Sequence, residues 1–398
     1  MRIGGWQPEM AGAVLALNAG SSSLKFALFD PALQPLVRGA ITGIGGQAQF
    51  RATAGLDRLL DEACWPGRAH EDFLEKLLSW ITDHAGGRNL AAVGHRIVHG
   101  GLGFTAPVRL DASVLAALEK LTPLAPLHQP HNLSPARALM ALKPDLPQIC
   151  CFDTAFHATM TPTARRFGLP RSLEETGVKR YGFHGLSYEY IAARLRQVAP
   201  GQAAGRIIVA HLGSGASLCA LRSGLSVDTT MSMTALDGLV MGTRVGAFDS
   251  GALLYLMRQG MSVDEMESML YLRAGLLGVS GLSGDMRMLL ASDSPEAGEA
   301  VELFVFRAVR EIGALAASLG GLDGLVFTAG IGENSAIIRR RICDGCAWLG
   351  VTIDQSANQS HALSISTAGS RVPAWVIPTD EEHTIARQTV SLLEGSRE

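Results

Sequence analysis

Two segments of the chain share one order of apolar and small polar residues. An apolar run at 14–17 leads into the loop Asn-Ala-Gly-Ser-Ser-Ser at 18–23, and a second apolar run follows at 24–29. The segment 206–221, RIIVAHLGSGASLCAL, repeats this order at an offset of 193 residues. Each segment predicts a β-hairpin, and two copies half a chain apart predict a duplicated domain.

The remaining pattern alternates predicted strands and predicted helices in each half. The first half predicts strands at 35–53, 91–99 and 148–152 and helices at 56–84, 111–121 and 134–142. The second half predicts strands within 206–228 and at 324–328 and 375–377, and helices within 252–272 and at 285–292, 295–319, 335–346 and 382–393. A loop is predicted at 329–334. Strands mixed with helices in two copies predict an α/β fold.

Length and composition fit two packed domains. The 398 residues exceed what one core usually holds, and 47% of them are apolar. Charged residues make up 18% and the formal net charge is −3, which argues against disorder and gives no basic surface for nucleic acid or an anionic membrane. We therefore expect no nucleic-acid partner and no membrane partner.

Cysteine usage and the absence of targeting patterns favour a reducing, cytoplasmic setting. The six cysteines are scattered through apolar segments, and Cys343 and Cys346 form a single CxxC in a predicted helix. No second pair completes a zinc or redox site. There is no apolar run of 18 residues, and the first ten residues, which lack the apolar core of a signal peptide, are predicted to be a loose extension.

Small residues in both hairpin loops favour contact with phosphate. Backbone N–H groups approach phosphate oxygens closely where side chains are small, and Lys25 adds a positive charge beside the first loop. The spacing differs from GxxxxGK[ST] and a strand follows, so this is not a Walker loop. An ordinary tight hairpin is the alternative interpretation.

Two further segments lie where a predicted helix starts. The glycine-rich loop at 328–335 follows an apolar strand, and Asp285 follows a Gly/Ser stretch. Free N–H groups at a helix start favour an anion or a polar ligand. A plain strand-to-helix turn and a simple helix cap are the alternatives.

Arg96 and Arg244 are the candidate side chains for binding an oxyanion. Arg96 lies in an alternating strand with Val98 on the same face, and Arg244 lies in the small-residue segment GTRVG. A guanidinium fork matches a carboxylate or a phosphate, whereas the alternative is a surface salt bridge.

Three other polar residues stand at predicted element boundaries. His184 lies between glycines in RYGFHG, Asp153 ends a strand, and Glu381 lies between a strand and the last helix. A structural histidine, a turn cap and an ordinary first-turn acid are the respective alternatives.

Taken together, the motifs resemble the acetate kinase family. The matching pieces are, in order, NAGSSSLKF, GHRIVHGG, CFDTAFH, RYGFHG, HLGSGAS, MGTRVG, SGDMR, AGIGENS and PTDEE, and they extend from Asn18 to Glu382. The resemblance implies an α/β fold of two duplicated actin/sugar-kinase-like domains (βββαβαβα) that flank a central cleft. It also implies reversible phosphoryl transfer from ATP to acetate or another short carboxylic acid, Mg2+ (or Mn2+) as the metal, and a cytoplasmic homodimer.

The resemblance further implies a domain division and residue roles. An N-terminal acyl-substrate domain would comprise residues 1–155 and 384–398, and a nucleotide-binding and dimerisation domain would comprise 156–383. Asp153, His184 and Arg244 would be catalytic, and Asn18 and Glu381 would hold the metal. The acid would contact Arg96, Val98, Leu127 and Phe183. The nucleotide would contact Lys25, His211, Leu212, Gly213, Ser214, Gly215, Asp285, Met286, Arg287, Gly330, Ile331, Gly332, Glu333 and Asn334.

The chemistry of this transfer agrees with these residue types. A carboxylate is already an anionic nucleophile at neutral pH, so catalysis consists of positioning and of cationic stabilisation of the phosphoryl group. We therefore interpret Asp153 as an orienter of metal-bound water rather than as a general base.

The sequence departs from the family pattern at a few positions. Ser214 replaces the usual Asn of HLGNG, and Asp380 replaces an Asn before the glutamate pair. Ala235 and Asp237 stand where Pro and Glu are usual; because that Pro belongs to the acyl pocket, Ala235 predicts a roomier pocket that accepts propionate. The rival functions are a propionate or butyrate kinase and, in another class, a nucleotide-gated binding protein like actin.

Overall fold

The computed structural model describes residues 12–54, 58–65, 67 and 69–395. They form two compact units: unit 1 from the described parts of Met1–Ala155 and Asp380–Glu398, and unit 2 from Phe156–Thr379. The predicted extension at 1–10 and the predicted helix start at 56 lie outside the described residues. The roles assigned to the two domains remain predictions.

Unit 1 contains one twisted sheet built on buried apolar strands. Its strands are β1 (Ala13–Ala19), β2 (Ser23–Phe29), β3 (Pro35–Thr42), β4 (Gln49–Ala54), β5 (Arg58–Cys64), β6 (Leu90–Ile97), β7 (Val108–Arg109) and β8 (Gln148–Phe152). Their order in the sheet is β5-β4-β3-β2-β1-β6-β8-β7. The pairs β1–β2 and β2–β3 are antiparallel, whereas β1–β6 and β6–β8 are parallel.

Unit 2 contains a second sheet with the same plan. Its strands are β9 (Arg206–Leu212), β10 (Ala216–Arg222), β11 (Leu225–Thr229), β12 (Gly324–Thr328) and β13 (Ala374–Val376), in the order β11-β10-β9-β12-β13. The first three strands pair antiparallel and the last two join in parallel, as in β3-β2-β1-β6-β8. An offset of 193 residues takes the bounds of β1 and β2 onto those of β9 and β10. The predicted duplication is therefore confirmed.

Helices connect the strands and cover the sheets. They are α1 (Leu74–His84), α2 (Ala112–Glu119), α3 (Gln129–Leu142), α4 (Pro162–Arg165), α5 (Arg171–Glu175), α6 (Gly185–Val198), α7 (Pro200–Ala203), α8 (Ser250–Arg258), α9 (Val263–Ser268), α10 (Gly275–Ser280), α11 (Met286–Leu290), α12 (Pro295–Leu319), α13 (Ala329–Asn334), α14 (Ala336–Gly345), α15 (Gln355–Gln359) and α16 (Glu381–Gly395). Within the residues that the structure describes, no helix is long and apolar enough to cross a membrane.

Each unit contains a helix that comes, in the sequence, after the last strand of the other unit's sheet. α6, which follows β8, contributes Tyr188 and Ile191 to the apolar core of unit 2. α16, which follows β13, contacts β1, β2, β6 and β8 of unit 1. Gly94 of β6 allows this approach, because a Cβ there would lie 2.3 Å from Thr389 Oγ1 and 2.5 Å from Ile385 Cγ2.

The structure corrects three sequence predictions about elements. The helix predicted at 56–84 is wrong in its first part, where Arg58–Cys64 form strand β5. Its partly exposed side chains give no burial pattern that would mark the strand. The loop predicted at 329–334 is helix α13, whereas the helix predicted at 335–346 is present as α14, which starts after the cap Ser335. Helix α6 was not predicted, although its buried positions 188, 191, 192 and 195 have helical spacing.

Candidate functional site

Five polar side chains of unit 1 form what we call the unit 1 polar cluster: Asn18, Arg96, Asp153, Glu381 and Glu382. Asn18 and Arg96 are the penultimate residues of β1 and β6, Asp153 follows β8, and the two glutamates open α16. β1, β6 and β8 are neighbouring parallel strands, so their carboxyl ends meet at one edge of the sheet. Ligands of α/β folds commonly bind at this edge.

Arg96 and Asp153 form a buried, forked ion pair in this cluster. Arg96 Nη2 and Nε lie 2.7 Å and 3.1 Å from Asp153 Oδ2, and Arg96 Nη1 donates to Asn18 Oδ1 at 3.1 Å. Burial by itself lowers the pKa of the Arg96 guanidinium, but the charges of Asp153 and Glu381 raise it above its ordinary range. Arg96 therefore remains a cation at physiological pH and compensates the buried Asp153 carboxylate.

The Asn18 amide bridges Arg96 to the glutamate pair. Its Nδ2 donates to Glu381 Oε2 at 2.8 Å and to Glu382 Oε1 at 2.9 Å. Burial raises the pKa of Glu382, and the nearby charge of Glu381 raises it further. Two crowded carboxylates supply the hard oxygen donors that Mg2+ prefers, so the donor chemistry fits this metal.

The glutamates would hold such a metal with help from a ligand or water. In the described part of the chain, no group of three acidic, histidine or cysteine side chains is arranged around a metal position. Mg2+ usually keeps several waters and binds through one or two carboxylates plus substrate phosphates. Of the pair predicted from the sequence, Asn18 and Glu381, the glutamate is the better protein ligand, because the Asn18 oxygen accepts from Arg96 here.

The other predicted residues of unit 1 lie around this cluster. Lys25 of β2 pairs across the strands with Asn18, and its charge acts on Glu382. Val98 is buried just beyond the end of β6, where its N–H donates to Asn132 Oδ1 at 2.9 Å. Leu127 is half-buried before α3. Phe183, which was predicted beside them, belongs to unit 2 and is buried.

The hairpin loop of unit 2 brings His184 and Arg244 to one point. Gly213 N donates to Gly215 O at 2.9 Å, which closes a loop tighter than the one at Gly20, where the N–H bonds to Ser23 O. A Cβ on Gly215 would lie 2.7 Å from Arg244 Nη2 and 3.3 Å from His184 Nε2. Both side chains therefore meet the loop where the absence of a side chain leaves room.

The backbone of His184 is held in the left-handed region. Its φ and ψ are 58° and 24°, an uncommon conformation for a residue with a side chain, and such strain clusters at functional sites. His157 holds the preceding peptide, because its Nε2 donates to Phe183 O at 2.9 Å while its ring packs on Gly182. Burial lowers the pKa of His157 to about 4, so this ring is neutral at physiological pH.

A cavity of about 820 Å³ opens in unit 2 beside the hairpin loop. Segments from five parts of the chain line it, and they include many of the residues predicted to bind the nucleotide: Gly213, Ser214, Asp285, Met286, Arg287, Gly330, Ile331 and Asn334. Nucleotide-sized ligands occupy cavities of roughly 300–1,000 Å³. His211, Leu212, Gly215, Gly332 and Glu333 adjoin this lining in the sequence without being part of it.

Sequence reasoning missed several residues that line this cavity. They are Gly242, Thr243, Gly284, Leu290, Ser335, Ala336, Ile337 and His361. Gly242 and Gly284 approach each other so closely that a Cβ on Gly284 would lie 2.7 Å from Gly242 O. The paired glycines in MGTRVG and SGDMR were the available signal for this contact.

A fully buried arginine, Arg339, holds one wall of the cavity. Its Nη1 donates to Gly332 O at 2.9 Å and to Glu333 O at 2.8 Å, and its Nε and Nη2 donate to Asn358. Burial lowers the pKa of this guanidinium. The carbonyls at the end of α13 are thus tied to α15, which fixes the segment that carries Gly330 and Ile331.

Some predicted residues have contacts of a structural kind. Glu333 Oε1 accepts from Ala329 N at 2.7 Å and from Thr379 N at 3.1 Å, so its carboxylate ties α13 to the chain beyond β13. Asp285 caps α11 and pairs with the exposed Arg287. All six cysteines are free thiols, and burial raises the pKa of Cys346 in the CxxC to about 12.

Comparisons with known proteins agree with this arrangement. Residues 13–387 match the family model described as the Acetokinase family. An acetate kinase of Rhodopseudomonas palustris is 52% identical over 98% of this chain and 100% of its own length, and one of Rhizobium meliloti is 50% identical over 96% and 98%.

Solved structures of similar proteins share the whole fold. A propionate kinase from Francisella tularensis is 36% identical with a TM-score of 0.88, over 95% of this chain and 98% of its own. The acetate kinase of Porphyromonas gingivalis is 36% identical with a TM-score of 0.85, over 96% and 100%. The two duplicated α/β units, the glycine-rich cavity and these relatives lead to one conclusion: the chain is a kinase that belongs to the acetokinase family.

Proposed function

We propose that this kinase transfers the terminal phosphoryl group of ATP to acetate, reversibly, giving acetyl phosphate and ADP. The observation that carries the proposal is the convergence of four glycine-containing segments on one cavity, beside the hairpin loop that His184 and Arg244 contact at Gly215. Backbone N–H groups and small side chains suit a polyphosphate there. The acid and the metal are assigned to the unit 1 polar cluster.

The cavity of unit 2 is the proposed nucleotide site. Ser214 and Gly330 stand at the loops that would approach the phosphates, and the longer side chains Met286, Ile331 and Ile337 supply apolar surface for a base. This division between small polar and apolar lining is what a nucleotide requires. Mg2+, when bound at Glu381 and Glu382, would neutralise phosphate charge.

Arg96 is the proposed binding residue for the acid. A guanidinium has five N–H groups, and Asp153 and Asn18 engage three of its donor atoms while leaving N–H groups on Nη1 and Nη2 for a second carboxylate. Asp153 holds the fork in one orientation. Because Asp153 already compensates the charge of Arg96, the acid would bind a positioned donor rather than an unpaired cation.

His184 and Arg244 are the proposed donors to the transferring phosphoryl group. Its three equatorial oxygens carry charge in the transition state, and fixed donors stabilise that charge without rearranging. Nε2 of His184 and Nη2 of Arg244 both lie beside Gly215. No side chain has to remove a proton, because the acid reacts as a carboxylate. Asp153 therefore serves as a positioning group for Arg96 and would also orient metal-bound water when Mg2+ is bound.

Trapping with hydroxylamine tests this function. The protein is incubated with ATP, Mg2+ and acetate, and an acyl phosphate is detected as the hydroxamate, with an acetate-free sample as control. We expect hydroxamate formation that requires acetate and ATP together. Release of free phosphate alone would instead identify a nucleotide-gated protein like actin and would contradict the proposal.

A propionate kinase is the second candidate. A propionate kinase from Francisella tularensis is among the similar structures, and Ala235 replaces the bulkier Pro that the family pattern has in its acyl pocket. Ala235 also supplies the carbonyl that accepts from Arg244 Nη1 at 2.6 Å. One methylene usually changes discrimination by about 1–3 kcal/mol, so we expect a reduced preference for acetate. This preference is measured as the ratio of kcat/KM for propionate to kcat/KM for acetate, in the native protein and in Ala235→Pro.

We also propose a cytoplasmic homodimer. Helix α8 buries none of its own residues although it carries Leu254, Tyr255 and Met257, and Phe248 just before it is exposed as well. An unburied apolar helix of this kind indicates an interface. A second copy of this chain is the partner that the family resemblance implies. Sedimentation velocity should give a dimer, and Leu254→Glu should give a monomer.

A further inference from the structure

Two buried hydroxyl groups lie in a line behind His184. Ser217 of β10 places its Oγ 2.8 Å from His184 Nδ1, and the Tyr188 hydroxyl of α6 lies at 2.5 Å from the same Oγ. Ser217 and Tyr188 are both fully buried. The line Tyr188–Ser217–His184 belongs to unit 2 throughout, and we call it the hydroxyl relay.

The direction of the hydrogen bonds in the relay follows from the donors available. Within the part of the chain that the structure describes, the Tyr188 hydroxyl has Ser217 Oγ as its hydrogen-bond neighbour. A buried phenol donates its proton, and burial raises the pKa of Tyr188 well above its ordinary value, so the proton stays in place. Tyr188 therefore donates to Ser217.

Ser217 must then donate to His184. Its oxygen already accepts from Tyr188, and His184 Nδ1 is the remaining neighbour of its proton. If Nδ1 carried the proton instead, Ser217 would accept twice and its own buried O–H would point at no acceptor, which native structures avoid. Nδ1 thus accepts, and the proton of the neutral imidazole lies on Nε2.

We infer that Tyr188 and Ser217 are positioning residues that set the tautomer of His184, so that Nε2–H is the donor presented to the reacting phosphoryl group. Nε2 is the nitrogen beside Gly215, where Arg244 Nη2 also lies. The His211 ring stacks on His184 with centroids 4.1 Å apart and restrains its plane. The catalytic part of this inference rests on the proposed function, whereas the tautomer itself does not.

Nitrogen-15 NMR of histidine-labelled protein measures the tautomer directly. The His184 signals are assigned by comparison with His184→Asn, and spectra are recorded at a pH where the ring is neutral. We expect the Nε2–H tautomer in the native protein and a shift toward the Nδ1–H tautomer in Ser217→Ala and Tyr188→Phe. A native Nδ1–H tautomer, or no change in either variant, would overturn the inference.

Kinetics supply the second measurement. Loss of the hydrogen-bond partner of a metal-ligating histidine typically lowers activity about 10- to 100-fold, and by analogy we expect kcat of Ser217→Ala to fall by that factor with little change in the KM for ATP. Tyr181→Phe is the matched control, because its buried hydroxyl donates to Gly177 O, away from His184. In Tyr181→Phe, the His184 tautomer and kcat should be those of the native protein. Equal losses in Tyr181→Phe and Tyr188→Phe would show a packing effect and overturn the inference.

The two measurements separate the relay from the proposed function. A native Nε2–H tautomer that the variants disturb, in a protein that forms no acyl phosphate, would contradict the function and leave the relay supported. An enzyme that forms acyl phosphate, but whose His184 tautomer is unchanged in the variants, would support the function and contradict the relay. Thermal unfolding of each variant identifies any that does not fold.

Discussion

Arg96 is the residue on which the unit 1 polar cluster depends. Its positive charge compensates the Asp153 carboxylate, and the ion pair fixes the orientation of the guanidinium. We expect Arg96→Ala to lower kcat about 10²- to 10³-fold, as loss of one oxyanion donor does elsewhere. Arg96→Lys keeps the positive charge but loses the forked pair of donors, so its kcat should lie between those of the native protein and Arg96→Ala. Acyl phosphate formation measures both, and a near-native rate in Arg96→Ala would remove Arg96 from the site.

Ser214 is a residue where this chain departs from its family. It lines the cavity with a side chain shorter than asparagine, and Gly242 N donates to its backbone oxygen at 3.2 Å. We expect Ser214→Asn to add one hydrogen bond to a phosphate and to lower the KM for ATP roughly 3- to 10-fold, since such bonds contribute about 0.5–1.5 kcal/mol. Ser214→Ala serves as the control. An unchanged KM in both would show that position 214 does not contact the nucleotide.

Asp380, the second departure, has a structural explanation. Its carboxylate forms a forked ion pair with Arg38 and accepts from His383 N at 2.9 Å in the first turn of α16. An asparagine would keep the cap and lose the charge. The pair is partly exposed, so its loss should cost at most about 1 kcal/mol.

At the scale of elements, Gly94 controls how α16 docks on β6. A Cβ there would overlap Thr389 and Ile385, and α16 carries Glu381 and Glu382 at its start. We expect Gly94→Ala to destabilise the protein by roughly 1–3 kcal/mol through overpacking. Gly298→Ala is the matched control, because nothing lies near that position in α12 and alanine favours a helix. Urea unfolding compares them, and equal midpoints would contradict close packing at Gly94.

The sequence predicted strands where buried side chains make the chain apolar, and it missed a strand whose side chains are exposed. Strands β1 and β12 are buried along their whole length and β9 along all but its first residue, so their apolar runs predicted strands. Strand β5 lies at a sheet edge with exposed side chains, and hydrophobic periodicity carries no information there. The start of α14 after Ser335 was predicted, whereas the short helix α13 was not, because the glycine-rich segment 329–334 has no helical pattern of apolar residues.

The candidate site was predictable only as far as its residues lie in recognisable motifs. Four glycine-containing segments of unit 2 line one cavity, and the sequence marked three of them, at Gly213, Asp285 and Gly330, as candidates for binding phosphate or another polar ligand. Arg339 and Asn358 support that cavity from ordinary helical sequence, and His361 lines it from the turn after α15, so their role depends on tertiary contacts. The pairing of Arg96 with Asp153 likewise follows from strand order, because β6 and β8 become neighbours only in the folded sheet.

Stability of the whole molecule should depend on two buried histidines. Burial lowers the pKa values of His95 and His157 to about 4, from 6.5 in an exposed chain. Both rings are neutral above pH 6.5, so their contribution to the stability of the folded protein is complete there. It is lost as the pH falls toward 4, because the unfolded chain then binds protons that the buried rings do not. Each such shift is worth on the order of 3 kcal/mol. The free energy of unfolding, measured with urea, should fall more between pH 7.5 and pH 4.5 in the native protein than in His157→Gln. Parallel dependences on pH in the two proteins would contradict this.

The central claim is that a carboxylate oxygen attacks the terminal phosphorus of ATP on this protein. The most direct measurement uses acetate labelled with oxygen-18 and unlabelled ATP with Mg2+, followed by phosphorus NMR of the products. The account predicts acetyl phosphate whose phosphorus signal carries the isotope shift of one bridging oxygen-18, together with unlabelled ADP. Unlabelled inorganic phosphate as the product, formed at a rate that does not depend on acetate, would contradict it.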